Sequence, residues 1–254
     1  MSIRLTIASA LSLLFLISCT KEVKNSDNNL GSSNKSIKLT QFSSINSLLN
    51  GNYIGDASYK EIKSKGNFGL GTFNFLHGEM VALDGNFYQA TVDGKVALVN
   101  DTLFAPFAAV HNFIPDSIFT IDYSINSYND LNHLIMKYIT NPNNIYAFRI
   151  HSKFDSLSVR SVPKQKLPFV PLGEVVKIQT VFNLQQINGT LVGYWFPDYM
   201  KEINMAGLHL HFISDDKNHA GHVLNCKFTN SNVQLDVLTN MDLVIPQNQE
   251  YQND

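Results

Sequence analysis

Arginine is scarce in this chain: only Arg4, Arg149 and Arg160 occur among 254 residues, and lysine supplies nearly every other cation. Acidic and basic residues almost balance at a net charge of −2, so there is no basic footprint for a nucleic acid. Charged residues make up 16% against 44% hydrophobic, which excludes a disordered chain and leaves enough apolar material for a globular body with a real core. Two cysteines, Cys19 and Cys226, are too few for a disulfide framework. The one sizeable apolar run, from Leu5 to Ile17, is shorter than the roughly 20 residues a bilayer-spanning helix needs. Because lysine is the default cation here, the two arginines outside the N-terminal segment stand out, since the planar guanidinium fork is something lysine cannot supply.

The N-terminus has a layout of its own. A short positive start with Arg4, the apolar run and then Ser18-Cys19 is the pattern of a secretory signal over residues 1–18. Leu16-Ile-Ser-Cys19 is similar to the bacterial lipoprotein box, in which the cysteine becomes the lipidated first residue. Residues 19–36, rich in Ser, Asn and Lys, are expected to form a flexible tether between that anchor and the body. The expected location is therefore exported and lipid-anchored at the bacterial membrane, on the periplasmic or outer-membrane face. Cys226 is then left alone and is expected to be a small buried strand residue.

From residue 37 the body begins. Residues 37–50 carry apolar side chains at helical spacing (Phe42, Ile45, Leu48, Leu49) and end at Asn50-Gly51, a helix stop. Residues 58–65 suggest a second helix, closed by Gly66. Beyond it, short strands alternate with turns: residues 68–75, 79–83, 86–92 and 95–99, with Asp84-Gly85 and Asp93-Gly94 between them. Residues 128–140 read as an amphipathic helix, 146–150 and 157–162 as strands, and 163–171, with three prolines, as an extended crossing segment. Residues 174–182 fit helix or strand, 189–196 and 207–228 are strands, and 233–245 form one or two final strands before a polar tail at 246–254. The expected fold class is α+β: predominantly mixed or antiparallel β-sheet in two halves meeting near residue 163, with a few short helices.

The richest stretch is Gly207-Leu-His-Leu-His-Phe-Ile-Ser-Asp-Asp-Lys-Asn-His-Ala-Gly-His222. Residues two apart on a strand share a face, so His209 and His211 point one way while Leu208, Leu210 and Phe212 point the other. With a hairpin turn centred between Asp216 and Lys217, His211 faces His222 with Cβ atoms roughly 4.5–5.5 Å apart and His209 lies on the diagonal. Three imidazoles on one face of a hairpin form a metal site with positions left open. His219 has the other parity and, like His77, His111, His133 and His151, is expected in solvent.

A second stretch, residues 66–85, is rich in glycine but lacks the G-x-G-x-x-G order that cradles a phosphate. Within it Glu79 interrupts the apolar strand Glu-Met-Val-Ala-Leu83; it is either the exposed start of that strand or aimed at a compensating group. Residues 66–85 continuing into Phe87-Tyr-Gln89, Thr102-Leu-Phe-Ala-Pro-Phe-Ala108, Arg160-Ser-Val-Pro-Lys-Gln165, Pro168-Phe-Val-Pro171, Gly189-Thr-Leu-Val-Gly193 and residues 209–224 together resemble the bacterial α-acetolactate decarboxylase family. The likeness runs from about Leu39 to Ile245, and Gly-Thr-Phe-Asn with Gly-Glu, His-x-His and Gly-His is its most specific part.

What the resemblance implies is a zinc enzyme that converts 2-acetolactate to acetoin and CO2. Carried over by position, His209, His211 and His222 would hold the zinc, with Glu79 as a further ligand or the proton donor. Arg160 would bind the substrate carboxylate, and Thr72 would line the site; Arg149 gains no such role. Members of the family also bring a C-terminal glutamate near the zinc, and Glu250 is the one carboxylate of that kind near this chain's end, without an alignment to support it. Water, another acid or reduced activity is the expectation if that glutamate is lacking. The family also suggests a homodimer. Two other classes compete: a non-catalytic metal- or metabolite-binding lipoprotein on the same scaffold, and a cupin-like oxygenase, which expects a glutamate where this chain has Ser214-Asp-Asp216.

Overall fold

The computed structural model describes residues 38–248, so the readings of the leader, Cys19, the tether and Glu250 lie outside the described residues. Strand β1 (Lys38–Phe42) leads into helix α1 (Ile45–Leu49), and β2 (Ala57–Ser58) into α2 (Tyr59–Lys65). Strands β3 (Phe68–Thr72), β4 (Glu79–Leu83), β5 (Asn86–Ala90), β6 (Val96–Leu98), β7 (Phe104–Ala105), β8 (Ala108–His111) and β9 (Ser117–Ile125) follow. Then come α3 (Tyr128–Met136), β10 (Ile145–Ser161), α4 (Leu172–Val175), β11 (Thr180–Phe196), β12 (Gly207–Ser214), β13 (Ala220–Leu238) and β14 (Asn240–Val244).

These strands build two main sheets. The first has seven strands in the order β14-β1-β8-β3-β4-β5-β6, antiparallel except for the parallel pair β1–β14. The second has the order β10-β11-β12-β13-β9, and β10 also pairs with β13, so four of its strands close on themselves. Register shifts between β10 and β13 near Ser152, Phe154 and Ser158 supply the bends that closure requires. Strands β11, β12 and β13 pack across β3 and β4, and an apolar core containing Leu70, Val81, Val192, Phe196 and Ile213 fills the space between. A second core lies inside the closed strands and under α3, and a third lies behind the first sheet under α2. The mixed, mainly β architecture with short helices is the one the sequence suggested.

Several boundaries differ. Residues 37–50 are not one helix: Lys38–Phe42 are extended, Ser43 turns at φ 66°, and only Ile45–Leu49 are helical. The cause is non-local, because β1 is held on one side by β8 and on the other by β14 from the far end of the chain. The two strands expected at 146–150 and 157–162 are one long bulged strand, β10. Nor does the chain change sheets near residue 163. It crosses after His111 and returns with β14, which places β9 in the second sheet. Locally determined features fall where they were expected: Ser58 caps α2 by accepting from Glu61 N at 3.2 Å, and Asp84 and Gly85 take the paired positive φ values, 51° and 79°, of a tight hairpin.

Candidate metal centre

Register alone lines up one row of the site. Strand β12 sets His211 opposite His222 on β13, as the centred turn required, and β10 sets Arg160 opposite that same His222. Residues directly opposite in a sheet share a face, so Arg160, His222 and His211 project together. Gly221 makes the approach of β13 to β10 feasible, since a Cβ there would stand 2.7 Å from the Arg160 carbonyl oxygen. Gly193 does the same for β11 against β12, where a Cβ would meet the His209 carbonyl oxygen at 2.0 Å. From the facing sheet, β3 and β4 present Thr72 and Glu79 as a directly opposed pair.

The three imidazoles converge through their nitrogens. His222 Nδ1 lies 3.2 Å from His209 Nε2 and 3.3 Å from His211 Nε2, and all three donor atoms fall within 4.8 Å of one another. His211 Nδ1 is 2.8 Å from the Met80 carbonyl oxygen. A carbonyl only accepts, so Nδ1 carries the proton and Nε2 turns a lone pair toward the other two rings. Burial, reinforced by the nearby Arg160 charge, lowers the His209 pKa to about 3. Burial likewise holds His211 and His222 well below the usual imidazole range, with neighbouring His209 and the Arg160 charge adding to it. All three are therefore neutral at pH 7, the form that ligates a metal. Three neutral imidazoles whose nitrogens converge this closely, with the His211 Nε2 lone pair turned into the cluster, fit a metal ion held by three nitrogens.

Glu79 is buried at 5% exposure at the start of β4, and it is compensated. Arg160 Nη1 donates to its Oε1 at 2.7 Å, while Oε2 lies 3.6 Å from His211 Nε2. Burial raises the Glu79 pKa, and the Arg160 charge pulls it back only in part. Thr72 is buried beside it, with Oγ1 donating to Gly78 O at 2.7 Å. A cleft of about 220 Å³ opens onto this polar end and is lined by all six of these side chains. Its remaining walls are mostly apolar, from Ile45 and Leu48 on α1, Leu70, Leu76, Phe107 and Val162, with Met205 among the lining residues.

Each sequence-predicted residue of the body thus comes to one place. Arg149 does not; it forms a two-pronged pair with Asp84, at 2.8 and 2.9 Å, away from the cleft. Cys226 is buried as expected. His77, His133, His151 and His219 are exposed, but His111 is not: it is fully buried, with Nδ1 3.0 Å from Tyr194 Oη and Nε2 3.4 Å from Asp236 Oδ2. Strand β8 lies between β1 and β3, so its side chains have no route to solvent on the face that packs on the second sheet. The apolar walls were the residues missed, because an apolar side chain lining a cleft has the same local pattern as one lining a core.

A family model described as alpha-acetolactate decarboxylase matches residues 39–254. An alpha-acetolactate decarboxylase of Brevibacillus brevis is 36% identical over 213 residues, covering 84% of this chain and 74% of that protein. The chain belongs to the alpha-acetolactate decarboxylase family. It is accordingly an enzyme, a carboxy-lyase acting on acetolactate. A family member from Methylococcus capsulatus is 39% identical over 207 residues, covering 82% of this chain and 79% of its own. The crystal structure of alpha-acetolactate decarboxylase from Bacillus subtilis strain 168 superposes with a TM-score of 0.83 at 36% identity, covering 85% of this chain and 92% of that one. The shared acetolactate decarboxylase fold thus includes both sheets and the face between them.

Proposed function

We propose that this enzyme converts 2-acetolactate to acetoin and CO2 with a zinc ion held by His209, His211 and His222. The observation that carries the reading is the nitrogen spacing. Two nitrogens at about 2.0–2.1 Å from one zinc ion at the tetrahedral angle stand about 3.3 Å apart, and the two closest pairs here are at 3.2 and 3.3 Å. Zinc also suits an all-imidazole set with a position left for substrate. Bound there, it would supply Lewis acidity to the ketone and hydroxyl oxygens of the substrate, stabilising negative charge that develops on them.

The protein's side chains do the rest. The Arg160 guanidinium keeps N–H donors beyond the one given to Glu79, and these bind the substrate carboxylate and orient the bond to be broken. Loss of CO2 leaves the electron pair of that bond on C2, conjugated with the neighbouring ketone. A proton must then reach C2. Glu79 delivers it: burial favours its protonated form, and Arg160 fixes one oxygen so that the other faces the site. Delivery from a single side makes the acetoin chiral. Thr72 has spent its donor on Gly78 O and so offers lone pairs to a substrate hydroxyl. The apolar walls take the methyl groups and keep water from the reacting carbon.

The test is direct. Purified zinc-loaded protein incubated with racemic 2-acetolactate should release acetoin and CO2, and a chelator should stop it. Zinc-loaded protein that binds the substrate without releasing acetoin would overturn this reading in favour of a non-catalytic binding protein.

A further inference from the structure

Between Thr72 and Glu79 the chain adopts a conformation that its local sequence does not announce. Phe75 and Leu76 are both left-handed, at φ 66° and 52°, and Gly78 follows at 91°. Bulky side chains rarely enter this region, and two in succession persist only where the surroundings over-determine them. Here they do. Asn74 grips the backbone of Gly55 from both sides, accepting from its N–H at 2.9 Å and donating to its carbonyl at 2.9 Å. Phe75 N donates to Tyr53 O at 2.7 Å, and Phe75 O accepts from Gln165 N at 2.6 Å. Gly55 itself runs close against β7, where a Cβ would stand 2.0 Å from the Ala105 carbonyl oxygen.

The strained backbone places one side chain. Leu76 is 1% exposed and lines the cleft together with Glu79 and Thr72, the two residues that bracket the connection. At the mouth, by contrast, Leu49 and Met205 remain 39% and 44% exposed. A right-handed backbone at residue 76 would swing its side chain out of this position. Strain of this kind collects where a site needs a geometry that ordinary turns do not provide.

Building on the zinc-dependent decarboxylation above, we propose that Leu76 is a specificity-determining residue that limits the alkyl substituent at C2 of the substrate. Asn74 is the positioning residue that holds it there. On this reading the C2 substituent lies against Leu76, and a chain longer than methyl meets its side chain.

The measurement is kcat/KM for 2-acetolactate and for the homologue with ethyl in place of methyl at C2, on zinc-loaded enzyme. Leu76→Ala should raise the ethyl-to-methyl ratio about tenfold, the scale on which one methylene is discriminated in an apolar pocket. Leu76→Gly, which the left-handed backbone accommodates, should raise it at least as much. Asn74→Ala should keep the wild-type zinc content yet raise the same ratio, mainly through KM; an Asn74 with only a structural role would lower Tm and leave the ratio unmoved. An unchanged ratio in Leu76→Ala would overturn the proposal, and if that variant does not fold, an unchanged ratio in Leu76→Gly does so. A wild-type enzyme inactive on both substrates would bring down the decarboxylase reading, and this one with it.

Discussion

Arg149 and Arg160 sit on the same strand, β10, and each pairs with a carboxylate at one end of β4: Asp84 just beyond it and Glu79 at its start. The pairs look alike on paper and differ in every physical respect. Asp84 is 62% exposed and Arg149 29%, so solvent screens their attraction even with two hydrogen bonds. The side chain of Glu79 is 7% exposed and that of Arg160 13%, and their pair borders three neutral imidazoles and a cleft. The first pair fastens one sheet to the other. In the proposed mechanism the second lies where charge changes during the reaction, and perturbed, buried ionisable pairs of this kind collect at functional sites.

Substitution at the two arginines should break this comparison into its parts. Arg160→Lys is expected to keep the zinc and the fold but lose on the order of 100-fold in kcat/KM, because an ammonium cannot hold Glu79 and a carboxylate at once through a planar fork. Steady-state kinetics with metal analysis checks it; full activity would remove Arg160 from the mechanism. Arg149→Ala should do far less. A surface pair contributes about 0–1 kcal/mol, so a loss of no more than about 2–4 °C in Tm is expected, with kcat/KM unchanged. A large fall in turnover from Arg149→Ala would show that the two pairs are not separable.

The two sheets also differ in how far their sequence could be read. The β12–β13 hairpin was legible because its register follows from period-two alternation and a polar turn, both local, and the observed pairing of His211 with His222 is what that alternation requires. Glu79 was legible as an exception, a charge inside an apolar strand, and the compensating group proved to be Arg160. Residues 38–42 were not legible as a strand, because their partners β8 and β14 are distant in sequence and no local signal encodes them. Burial of His111 escaped for the same reason: its partners Tyr194 and Asp236 come from the opposite sheet. The left-handed pair Phe75-Leu76 carries no glycine or asparagine of its own at those positions, so only the contacts made by Asn74 and Gln165 reveal why it holds.

The proposed chemistry depends on three histidines acting as one centre. The most direct test is the zinc content of His211→Ala against wild type, measured by elemental analysis after dialysis, with circular dichroism to verify the fold. About one zinc per chain in wild type, and essentially none in the variant with its β-spectrum intact, is the expected result. A folded His211→Ala variant that keeps the wild-type zinc content would contradict the three-histidine centre.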